Sequence, residues 1–271
     1  AKRLGVSVTS IIRWFDKLNC PHPKLPECIA IDEFRGNAGG EKFQCNVADP
    51  VKHKVIDILP SRNTEDLCKH FLEYPYKERA EVKKIVMDLS TLFRSVAKTM
   101  FPEAKIVADK FHVIRVVINS LENVRKRIQK EFHETKRKWF KRSRYLLLKP
   151  EYKLTDEDKT ELARMLNSSY DLEKAYVLKE RFYEVFRKQT RTEAKKELGN
   201  WLLLAADLSL PEFRHCITTF SNWKTEIANI IGERVSNGFI EGSNNKIKVL
   251  KRISYGVRNF DRFRNRILYL E

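Results

Sequence analysis

Long apolar runs are missing: nothing in the 271 residues approaches the roughly 18 consecutive apolar positions a membrane helix requires, so a membrane has only charge to attract it. Glycine and proline are scarce at nine each, which excludes collagen-like and low-complexity chains. The five cysteines are odd in number, contain no CxxC pair and follow no secretory leader, which fits reduced thiols and a cytoplasmic protein. Cys20, His22 and Cys28 lie close together, but the fourth ligand and the usual spacing of a zinc site are both missing. The chain opens Ala1-Lys2-Arg3, without Met and inside what reads as a running helix, so a segment upstream is expected to have been cut off. Acidic residues are in deficit as well. Against 36 Asp+Glu stand 53 Lys+Arg, a net charge of +17 that favours a polyanionic partner over acidic small molecules. Hydrophobic residues, at 42%, suffice to fill a core in a chain of this length.

The positive charge is concentrated. Residues 111–150 hold 12 basic and 3 acidic side chains and 234–266 hold 9 and 2, whereas 151–233 hold 13 and 15. Both basic stretches are interleaved with aromatics (Trp139, Phe140 and Tyr145; Tyr255, Phe260 and Phe263), the composition of a phosphate-contacting surface. One such run reads equally well as a solvated helix face, but two around a near-neutral remainder point to nucleic acid. The candidate DNA contacts are Arg125, Lys126, Arg127, Lys136, Arg137 and Lys138 in the first stretch. In the second they are Lys246, Lys248, Lys251, Arg252 and Arg258, and Arg13 near the amino terminus joins them.

Residues 1–19 carry helical periodicity (Val8, Ile11, Ile12, Phe15) broken at Leu4-Gly5-Val6-Ser7. Gly5 can take the positive φ of a tight turn and Ser7 can cap the next helix, so the segment resembles the second half of a helix-turn-helix with 8–17 as recognition helix; an ordinary helical hairpin is the plainer reading. Pro21, Pro23 and Pro26 then make a stiff linker. From 28 the period becomes alternating, predicting strands over 28–34, 42–48 and 54–59 in an antiparallel meander. A helix capped by Asn63, a strand over 82–87, a helix over 90–100 and a strand over 104–108 follow, the last three implying a parallel pair with a right-handed crossover. This β-β-β-α-β-α-β order is the ribonuclease H-like arrangement. Beyond 110 amphipathic helices are predicted over 121–148, 156–167, 172–188, 193–206 and 211–231, then 239–250 and 260–270. The expected organisation is therefore an α/β fold: a partial helix-turn-helix (1–20), a ribonuclease H-like core (27–113), a large all-helical insertion (114–232) and a carboxy-terminal return to the core (233–271).

Three aspartates follow apolar strand residues: Asp32 in Ile-Ala-Ile-Asp-Glu-Phe, Asp88 in Ile-Val-Met-Asp-Leu-Ser and Asp109 in Ile-Val-Ala-Asp-Lys-Phe-His. Asp88 and Asp109 are one strand-helix-strand repeat apart, at the carboxyl ends of adjacent parallel strands, where open α/β sheets bind ligands. Any one of them could be a turn or cap residue, but three in one context predict clustered carboxylates that would repel unless a cation joined them. Mg²⁺ is the expected cation, with Mn²⁺ as its substitute, and two-metal phosphodiester chemistry is the reaction such a site suits.

With Ala30-Ile-Asp-Glu-Phe34, Val86-Met-Asp-Leu-Ser90, Val107-Ala-Asp-Lys-Phe-His-Val113, Gly238-Phe-Ile-Glu-Gly-Ser-Asn-Asn-Lys-Ile-Lys248, Lys251-Arg252 and Tyr255-Gly-Val-Arg-Asn-Phe260 in this order, the sequence resembles the ISL-three group of bacterial insertion-sequence transposases. The resemblance implies a ribonuclease H-like catalytic domain with an Asp-Asp-Glu triad, in which Asp32, Asp88 and Glu241 bind metal and catalyse. It makes Asp109 and His112 an accessory Asp-x-x-His pair. The helical block matches the insertion that such transposases carry before the Glu-bearing helix, whereas the family's amino-terminal zinc-binding segment is absent. Gly36-Asn-Ala-Gly-Gly40 is a looser hairpin than the family pattern suggests. The implied function is Mg²⁺-dependent DNA strand cleavage and strand transfer by a homodimeric, nucleoid-associated enzyme acting on transposon ends and target DNA. A non-catalytic DNA-binding regulator and a structure-specific nuclease are the alternatives.

Overall fold

The structure, a computed structural model, describes every residue except 1, 2, 4, 19–21, 234 and 271. The first helix of the expected amino-terminal pair, and Cys20, therefore lie largely or wholly outside the described residues. The chain divides into two compact units, residues 1–109 with 234–271, and residues 110–233.

The first unit begins with α1 (Val8–Asp16), which buries none of its residues. Gly5 takes φ +61° and the Ser7 hydroxyl accepts the Ser10 N–H at 3.0 Å, so turn and cap form where the sequence places them. Strands β1 (Cys28–Phe34), β2 (Gln44–Asp49) and β3 (Lys54–Leu59) make the antiparallel meander, followed by α2 (Thr64–Leu72), α3 (Tyr76–Glu81), β4 (Lys84–Met87), α4 (Thr91–Met100) and β5 (Lys105–Ala108). The sheet order is β3-β2-β1-β4-β5, with β1–β4 and β4–β5 parallel. The architecture is thus mixed α/β on a mixed five-stranded sheet. Two local expectations change. Asn63 makes no side-chain cap bond to α2; its N–H is held by the Ser61 hydroxyl at 3.0 Å, and Ser61 in turn donates to Asp66. The 36–40 hairpin is tightly held: Ala38 is fully buried, its carbonyl accepts the Gln44 amide at 3.0 Å, and the Gly39 N–H donates to the Arg258 carbonyl at 2.8 Å. A Cβ at Gly36 would fall 1.6 Å from Gln44 Oε1, so any larger residue there would displace the buried Gln44 amide.

The second unit is helical: α5 (Lys110–Gln129), α6 (Glu134–Arg142), α7 (Arg144–Leu148), α8 (Asp156–Leu166), α9 (Tyr170–Tyr183), α10 (Arg191–Asp207), α11 (Arg214–Asn222) and α12 (Lys224–Ala228). The single helix expected over 121–148 is three, because the chain turns at 130–133 and at Ser143. The first turn sets Phe132 against the fully buried Phe140, ring centroids 5.0 Å apart. The expected 211–231 helix likewise breaks at Trp223, whose indole is buried. Phe182 lies 5.0 Å from both Trp201 and Phe220 at the centre of this unit.

The chain then returns to the first unit through α13 (Gly238–Ile253) and α14 (Phe260–Leu270). Ile247, Leu250, Phe263 and Ile267 pack with Phe34, Val55 and Ile58, while Ile240 packs with Ala30 and Ala48. Side chains alternate along a strand, so Ala30, Asp32 and Phe34 share the face of β1 that these helices cover. Arg262 on α14 holds Asp16 of α1 through two bonds of 2.7 and 2.6 Å.

Candidate active site

Asp32 sits in a buried strand on the face that meets α13, and is itself 8% exposed. One carboxylate oxygen accepts the Glu33 N–H at 2.8 Å and the other accepts the Asn244 side-chain amide at 2.7 Å. Asn46, directly opposite Asp32 in the β1–β2 register, donates to Asn244 Oδ1 at 2.9 Å and to the Ser243 hydroxyl at 3.3 Å. A buried carboxylate needs such donors, because desolvation otherwise costs it its charge. Its field reaches the next strand: burial pushes the Cys45 thiol well up, and the Asp32 charge adds to it.

Asp88 and Asp109 each stand one residue past a parallel strand whose last residues, Met87 and Ala108, are paired. Carboxylate oxygens of the two lie within 4.8 Å of each other. Both are reached by Asn237, whose backbone N–H donates to Asp109 Oδ1 at 3.2 Å and whose side-chain amide donates to Asp88 Oδ1 at 3.4 Å. The buried carbonyl oxygen of that amide has no hydrogen-bond partner.

Glu241 lies in the first turn of α13, half-buried. Asn237, Glu241 and Asn244 are four and three residues apart, so they lie along one side of the helix. Asn237 meets Asp88 and Asp109 and Asn244 meets Asp32; Glu241 lies between the two asparagines on the same side of α13. His112 opens α5, one helical turn beyond Asp109 and half-buried.

Lys126, Lys136, Arg137, Lys138, Lys246, Lys248, Arg252, Arg258 and Arg13 are exposed, and Lys251 is half-buried with its ammonium donating to the Arg35 carbonyl at 3.5 Å. Arg125 corrects the sequence reading. It is 4% exposed, donates to Glu122 at 2.8 Å and also to Gln129, because it lies on the packed side of α5 rather than its solvent side. Arg127 is engaged by Glu212 at 2.6 Å and Asp171 at 2.9 Å, so its charge is partly offset within its own unit.

Sequence reasoning missed the three asparagines. Asn46 and Asn244 carry no periodic signature, and Asn237 reads from sequence only as part of a turn before a helix. The signal available for Asn237 and Asn244 is the Asn-rich composition around Glu241; Asn46 has none.

A family model described as a transposase, of the DDE type and ISL-three group, matches residues 29–267. The chain belongs to the ISL-three transposase family. Among curated relatives it is 27% identical to the transposase of insertion sequence IS1001 from Bordetella parapertussis, over 88% of this chain and 59% of that one. It is 25% identical to the transposase of IS1557 from Mycobacterium tuberculosis, over 85% and 57% of the respective lengths. The ISL-three chain thus spans somewhat under three fifths of the length of these relatives. A shorter match, 36% identity over 34% of the chain, is to a Lactococcus lactis protein named as an ATP-dependent protease. It covers 26% of that protein and carries no argument about function. No described helix is long and apolar enough to cross a membrane.

Proposed function

We propose that this chain is the catalytic portion of an insertion-sequence transposase that cleaves DNA at the element's ends and transfers the freed strand to target DNA. Asp32, Asp88 and Glu241 are its catalytic, metal-holding residues in this reading, and the five-stranded sheet is a ribonuclease H-like core. The observation that carries it is the seating of α13 through Asn237 and Asn244, which brings the Glu241-bearing side of the helix to the strand-end aspartates.

The donor set fits a hard divalent cation: the Asp88 and Asp109 carboxylates have oxygens within 4.8 Å of each other at strand ends, and Asn237, which donates to both, has a buried amide oxygen without a partner. Mg²⁺, or Mn²⁺ in its place, supplies when bound the positive charge and Lewis acidity that phosphodiester cleavage requires. The chain's own residues do the rest. The asparagine bonds fix the carboxylate orientations, and Asp109 contributes a second negative group beside Asp88. Lys246, Lys248, Lys251 and Arg252 on the Glu-bearing helix hold phosphates near the site and offset charge as the in-line displacement proceeds. Arg13 on the exposed α1, the second helix of a helix-turn-helix in this reading, adds to the DNA contacts of its unit, and the basic residues of α5 and α6 supply those of the helical unit. Two ends must be cut together, which calls for a homodimer acting at the bacterial nucleoid.

Incubating the protein with Mg²⁺ and labelled element ends tests this directly. Joined products are expected; cleavage without joining would favour a nuclease, and binding without turnover a regulator. Retention of cleavage by Asp88→Asn would remove Asp88 from the site.

A further inference from the structure

Away from the aspartates, on the outer side of β3, a second cluster of ligating side chains stands in an open cleft. It comprises His22, in the segment leading to β1, with His70 and Glu73 from α2 and the residue that ends it. One ring nitrogen from each histidine and a Glu73 carboxylate oxygen lie within 4.8 Å of one another. Below them is Asp57 of β3, 1% exposed and fixed by Arg264 through bonds of 2.5 and 3.0 Å. Asp57 Oδ2 lies 3.3 Å from His22 Nδ1 and 3.8 Å from His70 Nδ1. One carboxylate thus faces the Nδ1 of both rings, close to His22 and, at 3.8 Å, beyond hydrogen-bond length from His70, the side from which an outer-shell carboxylate orients metal-bound histidines and leaves Nε2 for the ion. His22 Nε2 points to Glu73 Oε2 at 2.9 Å. His70 Nε2 is buried, on a side chain 9% exposed, and has no hydrogen-bond partner. A buried imidazole nitrogen left without a partner costs free energy that a bound cation would recover.

We infer that His22, His70 and Glu73 form a zinc site, with Asp57 as the carboxylate behind both imidazoles. Two imidazoles and one carboxylate are a borderline-soft set that suits Zn²⁺ and does not suit Mg²⁺, and the half-exposed His22 and Glu73 leave a fourth position open to water. The ion would clasp the segment ahead of β1 to α2. The site is independent of the proposed catalytic carboxylates and shares no residue with them.

The test is Zn²⁺ alone, added to the chelator-treated full chain, with bound metal measured by equilibrium dialysis and elemental analysis, alongside thermal melts. One Zn²⁺ per chain is expected, with a rise in melting temperature that Mg²⁺ does not produce. His22→Asn and Glu73→Gln alter exposed side chains and keep the fold, shown by unchanged melts of the metal-free proteins; each is expected to weaken Zn²⁺ binding by about ten-fold or more. Cys20→Ser and Asp88→Asn are expected to bind as the parent does. Failure of the parent chain to bind Zn²⁺, or parent-like binding by both His22→Asn and Glu73→Gln, overturns the proposal. Loss of binding in Cys20→Ser would also overturn it, in favour of a cysteine site, and loss only in Asp88→Asn would place the ion among the aspartates.

Discussion

Asn244 donates its side-chain amide to Asp32 Oδ2 at 2.7 Å, joining residues 212 positions apart. The same asparagine accepts from Asn46 at 2.9 Å, so one amide ties the Glu-bearing helix to two adjacent strands. Removing it leaves a buried carboxylate and a buried amide short of partners. Asn244→Leu is expected to destabilise the fold by about 1–3 kcal/mol, read as a lower denaturant midpoint. It should also reduce cleavage beyond what the lost stability explains, because Asp32 is no longer oriented; an unchanged cleavage rate in the folded variant would separate that bond from the chemistry.

Glu241→Gln keeps the size of the side chain and removes its charge. In the proposed reading it abolishes Mg²⁺-dependent cleavage, by a factor on the order of 100 or more, while the affinity for DNA changes little. Single-turnover cleavage and a binding titration on the same preparation separate the two effects. Equal losses in both would mean that Glu241 supports the helix and not the reaction.

Exposed Lys246 and Lys248 are expected to contact phosphates, so replacing either by Ala should lower the salt dependence of DNA binding by about one unit of log–log slope. Arg125 predicts the opposite pattern. It is buried with Glu122, and Arg125→Ala should leave the slope intact while costing about 3 kcal/mol of stability, since Glu122 loses its near partner. A fall in slope for Arg125→Ala would restore it to the DNA surface.

In the helical unit, α10 starts with a capping box in which Thr190 accepts the Glu193 N–H at 3.2 Å and the Glu193 carboxylate accepts the Thr190 N–H at 3.1 Å. Thr190→Ala is expected to cost about 1 kcal/mol. Thermal melts of the variant and parent measure this, and no change in melting temperature would show that the cap contributes nothing to the unit's stability.

The local order of this chain is written in short windows of sequence. Alternating apolar residues set β1, β2 and β3, the Gly5–Ser7 turn and cap start α1, and the apolar runs before Asp88 and Asp109 put both at strand ends. Each depends on neighbours within a few positions, which is why periodicity and capping rules read them. Tertiary packing decided the rest. The long basic helix broke at 130–133, where Phe132 meets the buried Phe140 eight residues on, a contact that only the folded chain makes. Arg125 looked like its basic neighbours until the packed side of α5 was known. The seating of α13 by Asn237 and Asn244, and the meeting of His22 with Asp57 and His70, join residues that sequence keeps far apart. Short-range sterics and apolar spacing fix what each segment becomes; which polar groups then find one another depends on which surfaces close together to exclude water, and only the folded chain determines that.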